Sequence, residues 1–65
     1  MYTVAEAADK LNLSEARVTQ LLREYDPDTG GTRLERRQPQ QGETIRDVRI
    51  TDESVNREMQ RRGLA

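Results

Sequence analysis

Apolar residues in the first part of the chain fall into two helical stripes. Val4, Ala7, Ala8 and Leu11 repeat at i, i+3, i+4 and i+7, and Val18, Leu21, Leu22 and Tyr25 repeat the same spacing fourteen residues later. Each set covers one face of an α-helix. Only Asn12, Leu13 and Ser14 lie between Leu11 and the second helix, so the helices must cross steeply, as in a helix-turn-helix. The joints agree with this reading. Thr3 and Glu6 have capping-box spacing. Asn12 stands where the first helix must stop, and Asn tolerates the left-handed conformation of a tight helix exit. Leu13 can then fold back between the helices, and small Ala8 lets the backbones approach. Ser14 suits the N-cap of the second helix, with Glu15 at the positive end of its dipole.

The pattern changes after Tyr25. Asp26-Pro27-Asp28-Thr29-Gly30-Gly31 is a stop and turn signal. It is not a calcium loop, because Gly30 and Arg37 stand where oxygen ligands are needed. Residues 32–38 read as a polar strand anchored by Leu34, residues 39–42 as a hairpin connection, and residues 43–51 as the returning strand. Val48 and Ile50 share the face expected to cover the helices, whereas Ile45 has the opposite parity. Either a bulge resets the alternation there or Ile45 is partly exposed. A closing helix starts at Thr51 or Asp52, carries Val55 and Met59 at i, i+4, places Arg61 and Arg62 at its negative end, and stops at Gly63. The expected fold is α+β, mainly α: one domain over residues 1–65, with a helix-turn-helix at about 3–25, a β-hairpin wing at about 32–51 and a closing helix at about 52–62.

Composition narrows the chemistry. Sixty-five residues make one small domain with a modest core. The chain has no Cys, His, Trp or Phe, which excludes disulfide scaffolds, thiolate or imidazole metal sites, and Cys- or His-dependent catalysis. Its carboxylates are scattered among pairing partners, so no enzyme, cofactor or small-molecule substrate is expected. No apolar run approaches membrane length, and the start lacks the basic and apolar regions of a signal peptide, so the expectation is a cytoplasmic protein without membrane association. The formal net charge is −1, unevenly distributed: residues 1–31 carry −3 and residues 33–49 carry +2. Of the 11 basic residues only Lys10 is not Arg, the side chain that forks onto phosphate or guanine.

The order helix-turn-helix, polar hairpin, short helix is that of a small winged helix-turn-helix, and the chain resembles the excisionase and MerR-like group of DNA-binding domains. Three stretches carry the resemblance: Tyr2-Thr3-Val4-Ala5-Glu6-Ala7-Ala8, Leu13-Ser14 followed by Arg17-Val18, and Arg49-Ile50-Thr51-Asp52-Glu53-Ser54-Val55. The chain departs from the group at Asn12, where Gly is frequent, and in a longer, more acidic connection from Tyr25 through Gln41. The dimerisation helix and effector domain of full MerR-type activators are not carried over. The resemblance implies sequence-specific binding of double-stranded DNA in a prokaryotic, phage or plasmid setting, as a recombination directionality factor or small transcription regulator.

With the buried stripe centred on Val18, Ala16, Thr19, Gln20 and Arg23 point away from the core at 100° per residue, with Arg17 at the flank. These five residues are the expected reading head, with Gln20 suited to adenine and Arg23 to guanine or phosphate. In the wing, Arg33, Arg36, Arg37, Gln40 and Gln41 are the expected contacts to a groove edge. Each set also has a plainer reading, as a solvated helix face or as cross-strand ion pairs. The expected partners are double-stranded DNA and a second copy of the chain, bound cooperatively on adjacent sites. The competing expectation is a protein-interaction module that docks a partner through Glu6, Asp9, Asp26 and Asp28.

Overall fold

Side-chain caps fix where the helices begin. The computed structural model describes residues 1–38 and 41–64, with the Ile45 side chain outside that description. In α1 (Val4–Leu11), the Thr3 hydroxyl accepts the Glu6 amide at 3.1 Å, and Glu6 Oε1 accepts the Thr3 amide at 2.9 Å. This closed capping box satisfies two otherwise unpaired donors. Asn12 ends the helix at φ 57°, ψ 45°. The Leu13 amide then donates back to the Ala8 carbonyl (2.9 Å) and the Asn12 amide to Asp9 (3.3 Å), the paired bonds of a Schellman exit. Ser14 caps α2 (Glu15–Leu21) by accepting the Arg17 amide at 3.1 Å. Thr51 caps α3 (Asp52–Arg61) by accepting the Ser54 amide at 3.3 Å. None of these helices is long and apolar enough to cross a membrane.

Two sequence expectations are corrected. The first concerns the end of the second helix, which stops at Leu21 instead of running to Tyr25. Tyr25 is 66% exposed and pairs with Thr32 in an isolated antiparallel bridge. The reason is tertiary. The Leu34 amide donates to the Leu21 carbonyl (3.1 Å) and the Arg33 amide to Glu24 (2.9 Å), so the returning loop satisfies the carbonyls at the helix end. The Asp26 amide and carbonyl are tied to Gly31 and Gly30 at 2.8 Å each, which turns the chain sharply.

The second correction concerns the fold class. The β-hairpin wing is not formed: the molecule is mainly helical, and the described residues contain no strand. What remains of the pairing is centred on Ile50, which bridges Tyr2 on one side and Arg36 on the other. Beside those bridges the Arg37 amide donates to Arg49 (2.9 Å) and the Thr51 amide to Glu35 (2.8 Å). The expected returning strand instead winds into a 3₁₀ turn at Ile45–Asp47. Asp47 Oδ2 closes that turn by accepting the Thr44 amide (2.9 Å) and hydroxyl (3.1 Å). This local hydrogen bonding removes the residues that would have extended the ladder. The expected outgoing strand is also drawn elsewhere, since the Glu35 amide donates to the Ser54 hydroxyl at 3.0 Å.

Val4, Ala7, Ala8 and Leu11 of α1 meet Val18 and Leu21 of α2, and Leu34, Val48, Ile50 and Val55 complete the buried core. Leu13, Leu22, Tyr2 and Met59 pack at its margin. The expected stripe of α3 faces the core, with Val55 buried and Met59 packed at the margin, and Ser54 and Glu58 are buried beside it. Glu58 is fully buried and accepts both arms of Arg33, at 3.0 and 2.7 Å, together with Arg62 at 2.8 Å. Nearby, buried Asp26 accepts Arg61 at 2.6 Å and the Asp28 amide at 3.0 Å. Arg57 adds longer ion pairs to Asp26 (3.8 Å) and Glu35 (3.6 Å). Residues 26–35 are thus bolted to α3 by charge.

Burial by itself would push the Glu58 carboxyl up, but the hydrogen bonds from Arg33 and Arg62 outweigh it and hold the group below its ordinary value of 4.5. Asp26 shows the same balance, with Arg61 and the Asp28 amide overcoming burial. Glu6 and Asp47 are also lowered, chiefly by the backbone amides of Thr3 and Thr44.

Because these four carboxyls bind protons less readily when folded, their contribution is complete above the ordinary values of 4.5 for Glu and 3.8 for Asp. It is lost as pH falls through and below that range. Thermal melts across pH should therefore be level from neutrality down to those ordinary values and fall steeply below them. Glu58→Gln should cost about 3 kcal/mol at neutral pH, because it removes the buried charge that Arg33 and Arg62 grip, and should flatten the acid limb. Circular-dichroism melts of both proteins check this. For the turn, Asn12→Ala should cost about 1 kcal/mol through left-handed strain, whereas Asn12→Gly should leave the melting midpoint nearly unchanged.

Candidate nucleic-acid interface

The buried stripe of α2 is Val18 and Leu21, which leaves Glu15, Ala16 and Gln20 exposed. Arg17 and Thr19 are half-buried at the flanks of that surface. The Thr19 hydroxyl donates to the Ala16 carbonyl at 2.7 Å, so it is occupied within its own helix. One Arg17 nitrogen reaches both Gln20 Oε1 (3.2 Å) and Glu24 Oε2 (3.3 Å). Arg17 therefore steadies the Gln20 amide through its oxygen and leaves both amide N–H donors for a partner. Arg23 follows in the turn beyond α2, exposed, with no ion pair to any described residue. Four of the five expected reading residues lie on one short helix, and the fifth stands just past its end.

The residues assigned to the wing are dispersed. Arg33 is turned into the fold by Glu58, with a longer ion pair to Glu24 at 3.7 Å. Its guanidinium is held in the charged form chiefly by the hydrogen bonds to Glu58. Arg36 and Arg37 approach opposite oxygens of Glu43 at 3.1 and 3.3 Å. Arg37 also donates to the Asp47 carbonyl at 2.6 Å. Gln41 is exposed in a turn, and Gln40 lies outside the described residues.

These pairings change the meaning of the net charge. Glu24 is met by Arg17 and Arg33, and Glu43 by Arg36 and Arg37, so each carboxylate is covered by two cations. Glu24 and Glu43 are thus neutralised within the fold, although the chain carries −1 overall. Glu15 is exposed in the first turn of α2.

Sequence reading missed Arg46, which is exposed and without an ion pair to any described residue. It lines an open cleft of about 260 Å³ with Thr3, Val4 and Ala5 from the start of α1 and Glu15 from α2. The signal available in the sequence was the spacing of Thr44 and Asp47, which builds a turn where a strand was expected. It also missed Glu58 and Asp26 as buried anchors, because a charged residue on a helix face normally reads as solvated.

Comparison with protein-family models, curated proteins and solved structures returns no match to this chain.

Proposed function

We propose that this chain binds double-stranded DNA sequence-specifically, with α2 entering the major groove, as a recombination directionality factor or small transcription regulator. The observation that carries the reading is the junction at Asn12. Its left-handed backbone and the Leu13-to-Ala8 bond turn the chain within three residues, so that α2 packs on α1 through Val18 and Leu21 and keeps Ala16, Gln20 and Arg23 exposed. A short helix crossing a second helix, with a polar outer face and a free guanidinium, suits base-edge recognition. Gln20 matches the donor and acceptor pair of adenine, and Arg23 the acceptor pair of guanine. Ala16 supplies an apolar contact for a thymine methyl.

Two features weigh against a protein-docking reading. Asp26 is buried and bound by Arg61, so it is not available to a partner. Tyr2, which would anchor an apolar patch, is half-buried beneath Lys10, whose ammonium lies 5.4 Å from the ring centroid.

A module of this size covers only about 600–1,000 Å² on DNA. The binding unit is therefore several copies assembling cooperatively on adjacent sites.

Selection of retained sequences from a random duplex pool should yield a short motif for the wild-type chain. Arg23→Ala should then weaken binding to the selected site by about 1–3 kcal/mol and relax discrimination at one or two positions. Equal losses on selected and random duplexes would make Arg23 a phosphate anchor. No loss would remove it from the reading face. Titrations on tandem sites should be sigmoidal, and sedimentation of the free protein should show a monomer; a stable dimer before DNA is added contradicts this assembly.

A further inference from the structure

The 3₁₀ turn at Ile45–Asp47 is unusually well tied for so short a segment. Asp47 Oδ2 closes it onto Thr44, and its carbonyls are taken up by neighbouring guanidiniums. The Arg46 carbonyl accepts Arg49 at 2.8 Å, the Asp47 carbonyl accepts Arg37 at 2.6 Å, and the Val48 carbonyl accepts Arg49 at 3.0 Å. Arg37 and Arg49 are thereby held against the backbone. Arg46 is left exposed on a fixed turn, with no acidic partner among the described residues.

Its position gives that cation a use. Arg46 shares a cleft with Glu15, the first residue of α2, whereas Arg23 stands two residues beyond Leu21, the last. The seven residues of α2 rise about 10 Å at 1.5 Å each. The major groove is about 12 Å wide between its two bordering backbones. Two guanidiniums without ion pairs to described residues therefore stand beside opposite ends of a helix about as long as the groove is wide.

We infer that Arg46 is a phosphate anchor, gripping the DNA backbone that borders the leading end of α2 while Arg23 lies at the trailing end. The inference rests on the DNA-binding reading above. A guanidinium fork suits the task, since it offers parallel N–H donors to two phosphate oxygens. Glu15 faces the same cleft and opposes a phosphate there, so the two charged liners must act with opposite signs.

The test uses the full chain with the selected site and with random duplex, titrated at several salt concentrations. Arg46→Ala should weaken binding to both duplexes by the same factor and reduce the log–log salt slope by about 0.9. Arg46→Lys should keep most of that slope, because the charge is retained. Glu15→Gln should raise affinity for both duplexes. Thermal melts of all three variants should match the wild type. If Arg23→Ala weakens binding but Arg46→Ala leaves affinity and slope unchanged, the anchor assignment fails and the DNA-binding reading stands. Loss of affinity with an unchanged slope, or a Glu15→Gln variant that binds no better, also overturns the assignment. If the wild-type chain binds no duplex at low salt, both the inference and the reading beneath it fall.

Discussion

The fully buried carboxylate of Glu58 organises everything that follows the first two helices. Three arginines, Arg33, Arg61 and Arg62, lie within ion-pair distance of it, and Arg33 grips both of its oxygens. A charge in that position is costly to desolvate, and only good geometry from several donors offsets the cost. The arrangement is therefore poor as a source of raw stability and strong as a constraint on geometry. It fixes the 26–35 loop against α3, which in turn brings Leu34 under α2 and presents its amide to the Leu21 carbonyl. The short length of α2 is a consequence of that docking.

Ile50 plays the complementary role in the backbone. It bridges Tyr2 and Arg36 on its two sides, so that the start of the chain, the 35–37 segment and the approach to α3 meet at one buried residue. The Tyr2 and Ile50 amides exchange bonds at 2.8 and 2.7 Å. That junction sets α1 directly over the entry to α3, and the two helices pack in the finished fold. A longer ladder would have needed residues that Thr44 and Asp47 draw into their own turn.

The arginines divide into two kinds once their partners are known. Arg33, Arg57, Arg61 and Arg62 serve the buried carboxylates of Glu58 and Asp26. Arg36 meets Glu43, Arg37 and Arg49 satisfy carbonyls, and Arg17 braces Gln20 and Glu24. Among the described residues this leaves Arg23 and Arg46 with neither an ion pair nor a side-chain hydrogen bond, one beside each end of α2. A net charge of −1 conceals this arrangement, because Glu24, Asp26, Asp28, Glu35, Glu43 and Glu58 pair with arginines that have structural work. Under the proposed reading, a nucleic acid would meet the residual local field beside the exposed helix.

Much of the fold was legible along the chain wherever local chemistry decides it. Capping at Thr3, Ser14 and Thr51, the left-handed exit at Asn12, and the helical spacing of Val4 through Leu11 all depend on residues within four positions of one another. Amides and side chains so close in sequence meet whatever the rest of the molecule does. The candidate face of α2 was legible for the same reason, since burying Val18 and Leu21 exposes Ala16 and Gln20. The wing was not. Alternating polarity over residues 43–51 favours a strand only if a partner segment is free to pair, and here Glu35 bonds to Ser54 while Thr44 bonds to Asp47. The burial of Glu58, the withdrawal of Arg33 and the freedom of Arg46 were equally closed to sequence reading. Each depends on which of many similar arginines and carboxylates come together across 25 or more residues, and like charges in sequence acquire different roles only when the fold chooses their partners.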